Sequence, residues 1–247
     1  MKTLNVFYLI FALLIGGVPV YSQQKIEGAW KLVEKDGKPF KDGQMVKVFA
    51  DDYFMFGWHT ADGAFKAAGG GTASLQDKKY IETLDFFTLD STRVRVPLEV
   101  NATLKGNKLT LKGSGKKQEK NEVWQKVDNS SNELSGAWRF ANRVDTDGNR
   151  GERRSPGPRE TIKILNGNRF QWAAFNYITK QFMGTGGGTY SLSDGKYTEN
   201  IEFFSKDNSR VGASLSFDFE RIKDEWHHKG LSSAGKPIYE IWEKVER

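Results

Sequence analysis

The chain contains no cysteine and only three histidines, His59, His227 and His228. The first absence excludes disulfide frameworks, thiolate metal sites, a cysteine nucleophile and the lipidated cysteine of a bacterial lipoprotein. The second argues against a multi-histidine metal centre, so no metal site and no cofactor are expected. Long apolar runs are also scarce. The only marked one, Val6–Ile15, is broken by Gly16, Gly17 and Pro19 and falls short of the ~20 residues a membrane span needs. With Lys2 before it and the small residues Val20 and Ser22 after it, the run predicts a signal peptide over residues 1–22, cut near Ser22/Gln23. No stable membrane span is then expected after cleavage. An exported chain without disulfides suits a secreted or periplasmic bacterial protein. Charge of one sign is lacking as well: 37 Lys and Arg stand against 31 Asp and Glu, for a formal net charge of +6. That is a mixed surface rather than a basic tail, and it argues against a nucleic-acid partner.

What the chain does have is aromatic mass, with 17 Phe, 8 Tyr and 7 Trp among 38% hydrophobic residues. This is the composition of a globular protein. It also has an internal repeat. Gly28-Ala29-Trp30 answers to Gly136-Ala137-Trp138, Phe54-Met55-Phe56 to Phe170-Gln171-Trp172, and Gly69–Thr72 to Gly186–Thr189. Tyr80-Ile81-Glu82 with Phe86-Phe87 answers to Tyr197-Thr198-Glu199 with Phe203-Phe204, and Glu122–Val127 to Glu240–Val245. The offset grows from 108 at Gly28/Gly136 to 118 at Glu122/Glu240, mostly through the Arg-rich loop Asn149–Glu160. The chain therefore reads as a tandem duplication: repeat 1 over residues 23–128, a polar linker at 129–133, and repeat 2 over 134–247. A hinge at Asp128–Glu133 leaves the relative orientation of the repeats and the oligomeric state undetermined.

Within each repeat the pattern is β. Period-two alternation runs through Val94–Leu104, Lys108–Lys112, Tyr197–Phe204 and Leu215–Phe219, punctuated by Gly, Asn and Asp turns. The reading is all-β: two tandem small antiparallel barrels of about eight strands each, since closure removes the exposed edges of a meander. Strict alternation places Tyr80, Glu82, Leu84 and Phe86 on one face, and Tyr197, Glu199, Ile201 and Phe203 on its equivalent, both expected inward. The glycine runs Gly69–Gly71 and Gly184–Gly188 lack the spacing and following helix of a nucleotide fingerprint. They are expected to be bulges that let a small barrel curve.

The Gly-x-Trp start of each repeat, the antiparallel strands and the Trp-bearing last strand resemble the lipocalin-like (calycin) superfamily. The Gly-Gly-Gly-Thr, Tyr-x-Glu and Ile-Trp-Glu-Lys blocks are similar to those of a secreted bacterial lipocalin-like domain family, here present twice. The resemblance implies barrels whose motif tryptophans, Trp30 and Trp138, pack at a closed end, and whose open mouth admits a small, often apolar ligand. Lipocalins stack an arginine on that tryptophan from the last strand. Here Lys126 and Lys244 are the candidates for its place.

Repeat 2 is expected to be the active cup. Trp226 and His228 stand where repeat 1 has Leu109 and Leu111, giving a more polar interior. Trp172, Tyr197, Glu199, Phe217, Phe219, Trp226 and His228 are the candidate ligand-binding residues, aromatic wall and polar handles together. Each also has a plainer reading: Glu199 as an internal strut paired or hydrogen-bonded in the core, the aromatics as ordinary core, His228 as a core histidine. His227 faces the other side of its strand, His59 is expected to be exposed near a turn, and the arginine loop is expected to be solvated. The expected function is a non-enzymatic binding protein holding a small, partly apolar molecule. The alternatives are a filled-barrel interaction module that binds a protein or glycan through its surface, and an acid–base enzyme using Glu199 and His228. No nucleophile elbow or zincin motif supports catalysis.

Overall fold

The computed structural model describes residues 26–113 and 120–245; the expected signal segment lies outside the described residues. The first barrel comprises β1 (Gly28–Lys35), the two-residue β2 (Lys38–Pro39), β3 (Gln44–Ala50), β4 (Tyr53–His59), β5 (Phe65–Gln76), β6 (Lys79–Phe87), β7 (Pro97–Lys105), β8 (Lys108–Lys112) and β9 (Asn121–Asp128). Strand β1 pairs with β3 on one side and β9 on the other, so eight strands close up-and-down while β2 only extends the end of β1. The second barrel closes in the same order: β10 (Gly136–Arg143), β11 (Arg159–Asn166), β12 (Arg169–Asn176), β13 (Gln181–Ser193), β14 (Lys196–Phe204), β15 (Ser214–Ile222), β16 (Glu225–Leu231) and β17 (Pro237–Lys244). Among the described residues no helix is long and apolar enough to cross a membrane.

The motif tryptophans sit in equivalent places. Trp30 donates its indole N–H to the Ile26 carbonyl and Trp138 to that of Leu134, each at 2.8 Å. Lys126 Nζ lies 4.7 Å from the Trp30 ring and Lys244 Nζ 4.5 Å from the Trp138 ring, filling the stacking place with an ammonium. At Trp138 the Arg221 guanidinium also packs on the ring, 4.4 Å away.

Strict alternation fails at a matched point on β6 and β14. The ladder between β5 and β6 slips at Gly70/Gly71, and that between β13 and β14 at Gly187/Gly188. These bulges carry the chain past the register, so Phe86 and Phe203, expected inward, point outward, while Phe87 and Phe204 turn to the interiors. Glycine is required there because the chains meet: a Cβ on Gly71 would lie 2.0 Å from the Thr83 carbonyl oxygen, and one on Gly188 2.0 Å from that of Asn200.

The outward faces so created meet each other. Val48, Ala50, Met55, Ala68 and Phe86 of the first barrel pack on Ile162, Ile164, Ala173 and Phe175 of the second. A column of near-parallel rings runs through this interface in the order His59, Phe203, Phe65, Phe182, Phe86, Phe175, with neighbouring centroids 5.1 to 6.3 Å apart. Members alternate between barrels. Since His59 corresponds to Phe175, Phe65 to Phe182 and Phe86 to Phe203, the column reads the same from either end. The barrels thus meet through equivalent patches, as two copies do across a twofold axis. His59, expected to be exposed, is 7% exposed because Phe203 covers it. Polar contacts seal the joint: Asn166 Nδ2 donates to the Phe49 carbonyl at 2.7 Å, and Asp51 accepts from both Ala137 N and Lys244 Nζ at 2.9 Å.

Phe86 is the ring held between Phe175 and Phe182. Phe86→Ala is expected to cost about 3–5 kcal/mol and to replace one shared unfolding transition by two in scanning calorimetry; a single transition at an unchanged midpoint would contradict this account of the joint.

Candidate functional site

Inside each barrel a lysine on the second barrel strand faces a glutamate on the fifth. In the second barrel Lys163 Nζ donates to Glu199 Oε1 at 2.6 Å, and the Tyr197 hydroxyl donates to the same oxygen at 2.8 Å. In the first, the equivalents are Lys47, Glu82 and Tyr80, and the Tyr80 hydroxyl donates to Glu82 Oε2 at 3.0 Å. Glu82 and Glu199 therefore act as the internal struts foreseen as one of their two readings. Their lysine partners were missed, although Val46-Lys47-Val48 and Ile162-Lys163-Ile164 put a lysine among apolar residues at the same place in both repeats.

The barrels then diverge. In the second, aromatic side chains gather in the interior. Trp226 and His228 pack edge-on against Tyr197 and Phe217 stacks on it, with the Phe217 and His228 rings 4.0 Å apart and the Tyr197 and Trp226 rings 5.1 Å apart. Phe219 packs against the same cluster, and Trp172 lies half-buried against Phe204, 5.6 Å away. Five of the seven candidate residues (Tyr197, Glu199, Phe217, Trp226 and His228) are thus brought together as mutually packed core, with Phe219 and Trp172 at its margin. His228 is 2% exposed; burial first, and the Lys163 ammonium second, push its pKa below the usual histidine range. Its Nδ1 lies 3.8 Å from Glu240 Oε2, too far for a hydrogen bond. Both its ring nitrogens, with the indole N–H groups of Trp226 and Trp242, are buried without a hydrogen-bond partner. His227 faces outward and bonds the Tyr239 hydroxyl at 2.8 Å.

The first barrel holds a cavity of about 510 Å³. At four positions where the second barrel has Phe217, Phe219, Trp226 and His228, the first has Val100, Ala102, Leu109 and Leu111, which pack in its core away from the cavity lining. Phe56, Trp58, Phe87, Trp124, Leu84 and Leu98 form apolar walls. Lys47, Glu82, Lys120 and Glu122 form a charged floor, with Lys35, Asp90 and Arg93 also on the lining. Lys120 Nζ donates to Glu82 Oε1 at 2.8 Å, and Trp124 Nε1 to Glu122 Oε2 at 3.0 Å. Lys47 Nζ stands 3.6 Å from Glu82 Oε2, an ion pair too long to be a hydrogen bond. It lies 4.7 Å from the Trp124 ring and 4.9 Å from the Phe54 ring.

The electrostatics follow from burial. Desolvation opposes the Glu82 charge, but Lys120 and Lys47 overcome it and bring the pKa down to about 2. For Lys47, desolvation and then the like charge of Lys120 outweigh Glu82 and lower the pKa to about 8. Burial also opposes the Lys120 charge, yet Glu122 and Glu82 raise its pKa.

Two further cavities lie outside the barrels. One, of about 550 Å³, is a groove between the outer face of β16–β17 and the loop around Asp145 and Arg150; the other, about 310 Å³, lies at the junction near Arg95 and Tyr177. The arginine loop is exposed, as expected, and ion pairs hold it: Arg153 donates to both Glu243 carboxylate oxygens at 2.6 and 2.7 Å, and Arg150 pairs with Glu225. Among the described residues no group of three or more His, Cys, Asp or Glu side chains is placed to hold a metal ion.

Residues 133–247 match the model of a family described as a domain of unknown function, DUF4488, which spans the second barrel and somewhat less than half the chain. None of the curated proteins matches the chain. A solved structure, that of the uncharacterized protein YLR301w from Saccharomyces cerevisiae, is 14% identical at a TM-score of 0.44, over 88% of this chain and 97% of that one.

The Glu82 pKa lies below the unfolded value of 4.5, so its stabilising contribution is complete above pH 4.5 and is lost as pH falls towards 2. Glu82→Gln is expected to cost about 3 kcal/mol near neutral pH and to flatten the loss of stability between pH 4.5 and 2, as read by urea unfolding. Lys47 acts the other way. Its folded pKa is below its unfolded one, so stability gains as pH rises from 8 to 10.5, and Lys47→Met is expected to abolish that gain.

Proposed function

We propose that the chain is an exported, non-enzymatic binding protein of lipocalin-like type, whose first barrel holds a small, partly apolar molecule carrying an anionic group. The observation that carries this reading is the cup of about 510 Å³ with aromatic walls and a charged floor. Apolar surface with a few convergent polar groups is the usual make-up of a small-molecule site. The sign of the ligand charge follows from the lining, where Lys35, Lys47, Arg93 and Lys120 face Glu82, Glu122 and Asp90. Asp90 is turned to its own 3₁₀ turn, accepting from Thr92 N and Oγ1 at 2.9 and 2.6 Å. Asp90 keeps its charge there, so four cations face three carboxylates, and the surplus of one at the mouth is what an anion would offset.

The packed outer face of the second barrel supports a separate role for that half. It presents the outer patch on which the first barrel rests and serves as the structural partner that holds the cup. This assigns the interaction reading to the second repeat and the binding reading to the first.

The fluorescence of 8-anilinonaphthalene-1-sulfonate, an apolar anion, is expected to rise saturably at one site per chain. Leu98→Trp, which places an indole in the cup, is expected to weaken that binding at least tenfold, whereas His228→Ala should leave it within about twofold. The reverse pattern would return the site to the second barrel, and an absence of saturable binding would leave only the interaction role.

A further inference from the structure

We infer that Lys47 is a carbonyl-capturing amine: the first barrel takes a small aldehyde with an apolar, anionic body and holds it as a reversible imine on Lys47 Nζ. This deepens the reading of the cup as a ligand site and rests on it.

The argument starts from the difference between two equivalent lysines. Lys163 is held by Glu199 at 2.6 Å, with the Trp242 and Trp226 rings 5.1 and 5.2 Å from its Nζ. Lys47 has lost the same grip. One oxygen of Glu82 is taken by Lys120 at 2.8 Å and the other accepts from the Tyr80 hydroxyl at 3.0 Å, leaving Lys47 at 3.6 Å. The residue at the Lys120 position in the second barrel is Ile238, so the displacing ammonium is peculiar to the first. The cavity of the first barrel opens beside it, with Lys47 on its lining. Lys47 is therefore a poorly held amine in the floor of an aromatic cup, next to a second cation, which is the environment that activates lysine nucleophiles.

The charged and titratable groups that face it are Glu82 and Tyr80 from β6, Lys120 and Glu122 from β9 and its approach, and Arg93 from the turn after β6. Burial and Lys120 bring its pKa to about 8. Roughly a tenth of the amine is then neutral at pH 7, against about one part in several thousand for an ordinary lysine.

The chemistry needs no co-reactant. The lone pair of neutral Nζ adds to the carbonyl carbon to give a carbinolamine. The carbon–oxygen bond then breaks, the oxygen leaves as water with the two amine hydrogens, and a carbon–nitrogen double bond remains. Hydrolysis reverses every step. The cationic mouth suits an anionic substituent on the aldehyde, and Phe56, Trp58 and Trp124 suit a flat apolar body.

The test treats the full chain at pH 7 with 4-formylbenzoate and sodium cyanoborohydride, whose hydride converts the imine to a stable secondary amine, followed by peptide mapping. Labelling at Lys47 at least tenfold above any other lysine, Lys163 included, is expected, with loss of that label in Lys47→Met. Lys120→Met is expected to slow labelling at pH 7 at least threefold and to move its pH profile upward, because Glu82 is released to pair with Lys47. Labelling spread evenly over surface lysines, or a pH profile unmoved by Lys120→Met, would overturn the inference. 4-Methylbenzoate separates the two readings by displacing the sulfonate probe. If it displaces the probe and Lys47 stays unlabelled, only imine capture falls; if it neither displaces the probe nor protects Lys47, and no label appears, both fall.

Discussion

Each barrel is tied across its interior by one charged pair, Lys47 with Glu82 and Lys163 with Glu199, and the rest of the architecture is arranged around it. An ammonium and a carboxylate can be buried only together and with their remaining hydrogen bonds met, which is why a tyrosine two residues before each glutamate donates to it. Such a pair adds little net stability compared with apolar side chains of the same volume. What it does is fix register. A slip of one residue in β3 or β11 would turn the lysine out into the apolar joint between barrels and leave the glutamate unpaired.

From this shared strut the two repeats part ways by side-chain volume and one added charge. Phe217, Phe219, Trp226 and His228 make the second interior aromatic where Val100, Ala102, Leu109 and Leu111 keep the first aliphatic. In the first barrel a cavity opens beside Lys47, and Lys120 bonds Glu82 there. The two copies thus differ inside while their strand order is alike. The burial of Lys47 is costly, and its lowered pKa is the expression of that cost.

The joint between barrels follows from the glycine bulges. By shifting the register once in β5–β6 and once in β13–β14, they send Phe86 and Phe203 outward and complete a column of six rings that reads alike from both ends. Positions that would face water in a lone barrel, Val48 and Ala50 or Ile162 and Ile164, are apolar because each barrel is the other's solvent shield. The polar stretch at Asp128–Glu133 is a connection across a packed interface, and its composition carried no sign of what packs beside it.

The sequence by itself determined the duplication, the all-β class, the closed eight-stranded pattern, the inward glutamates and the bulge role of the glycines, because these rest on local periodicity and on landmarks that recur. It also placed Lys126 and Lys244 at the motif tryptophans. Tertiary structure alone decided where the first barrel holds a cavity, since that depends on side chains from several strands rather than on any one of them. It likewise decided that His59 is covered and that Phe86 and Phe203 face out: a bulge moves every later side chain by one position, and no period-two count contains that shift. Lys47 carried a legible signal in its recurrence as Lys163. Lys120 carried none, because it stands just before β9 and meets Glu82 of β6 only once the barrel closes around both.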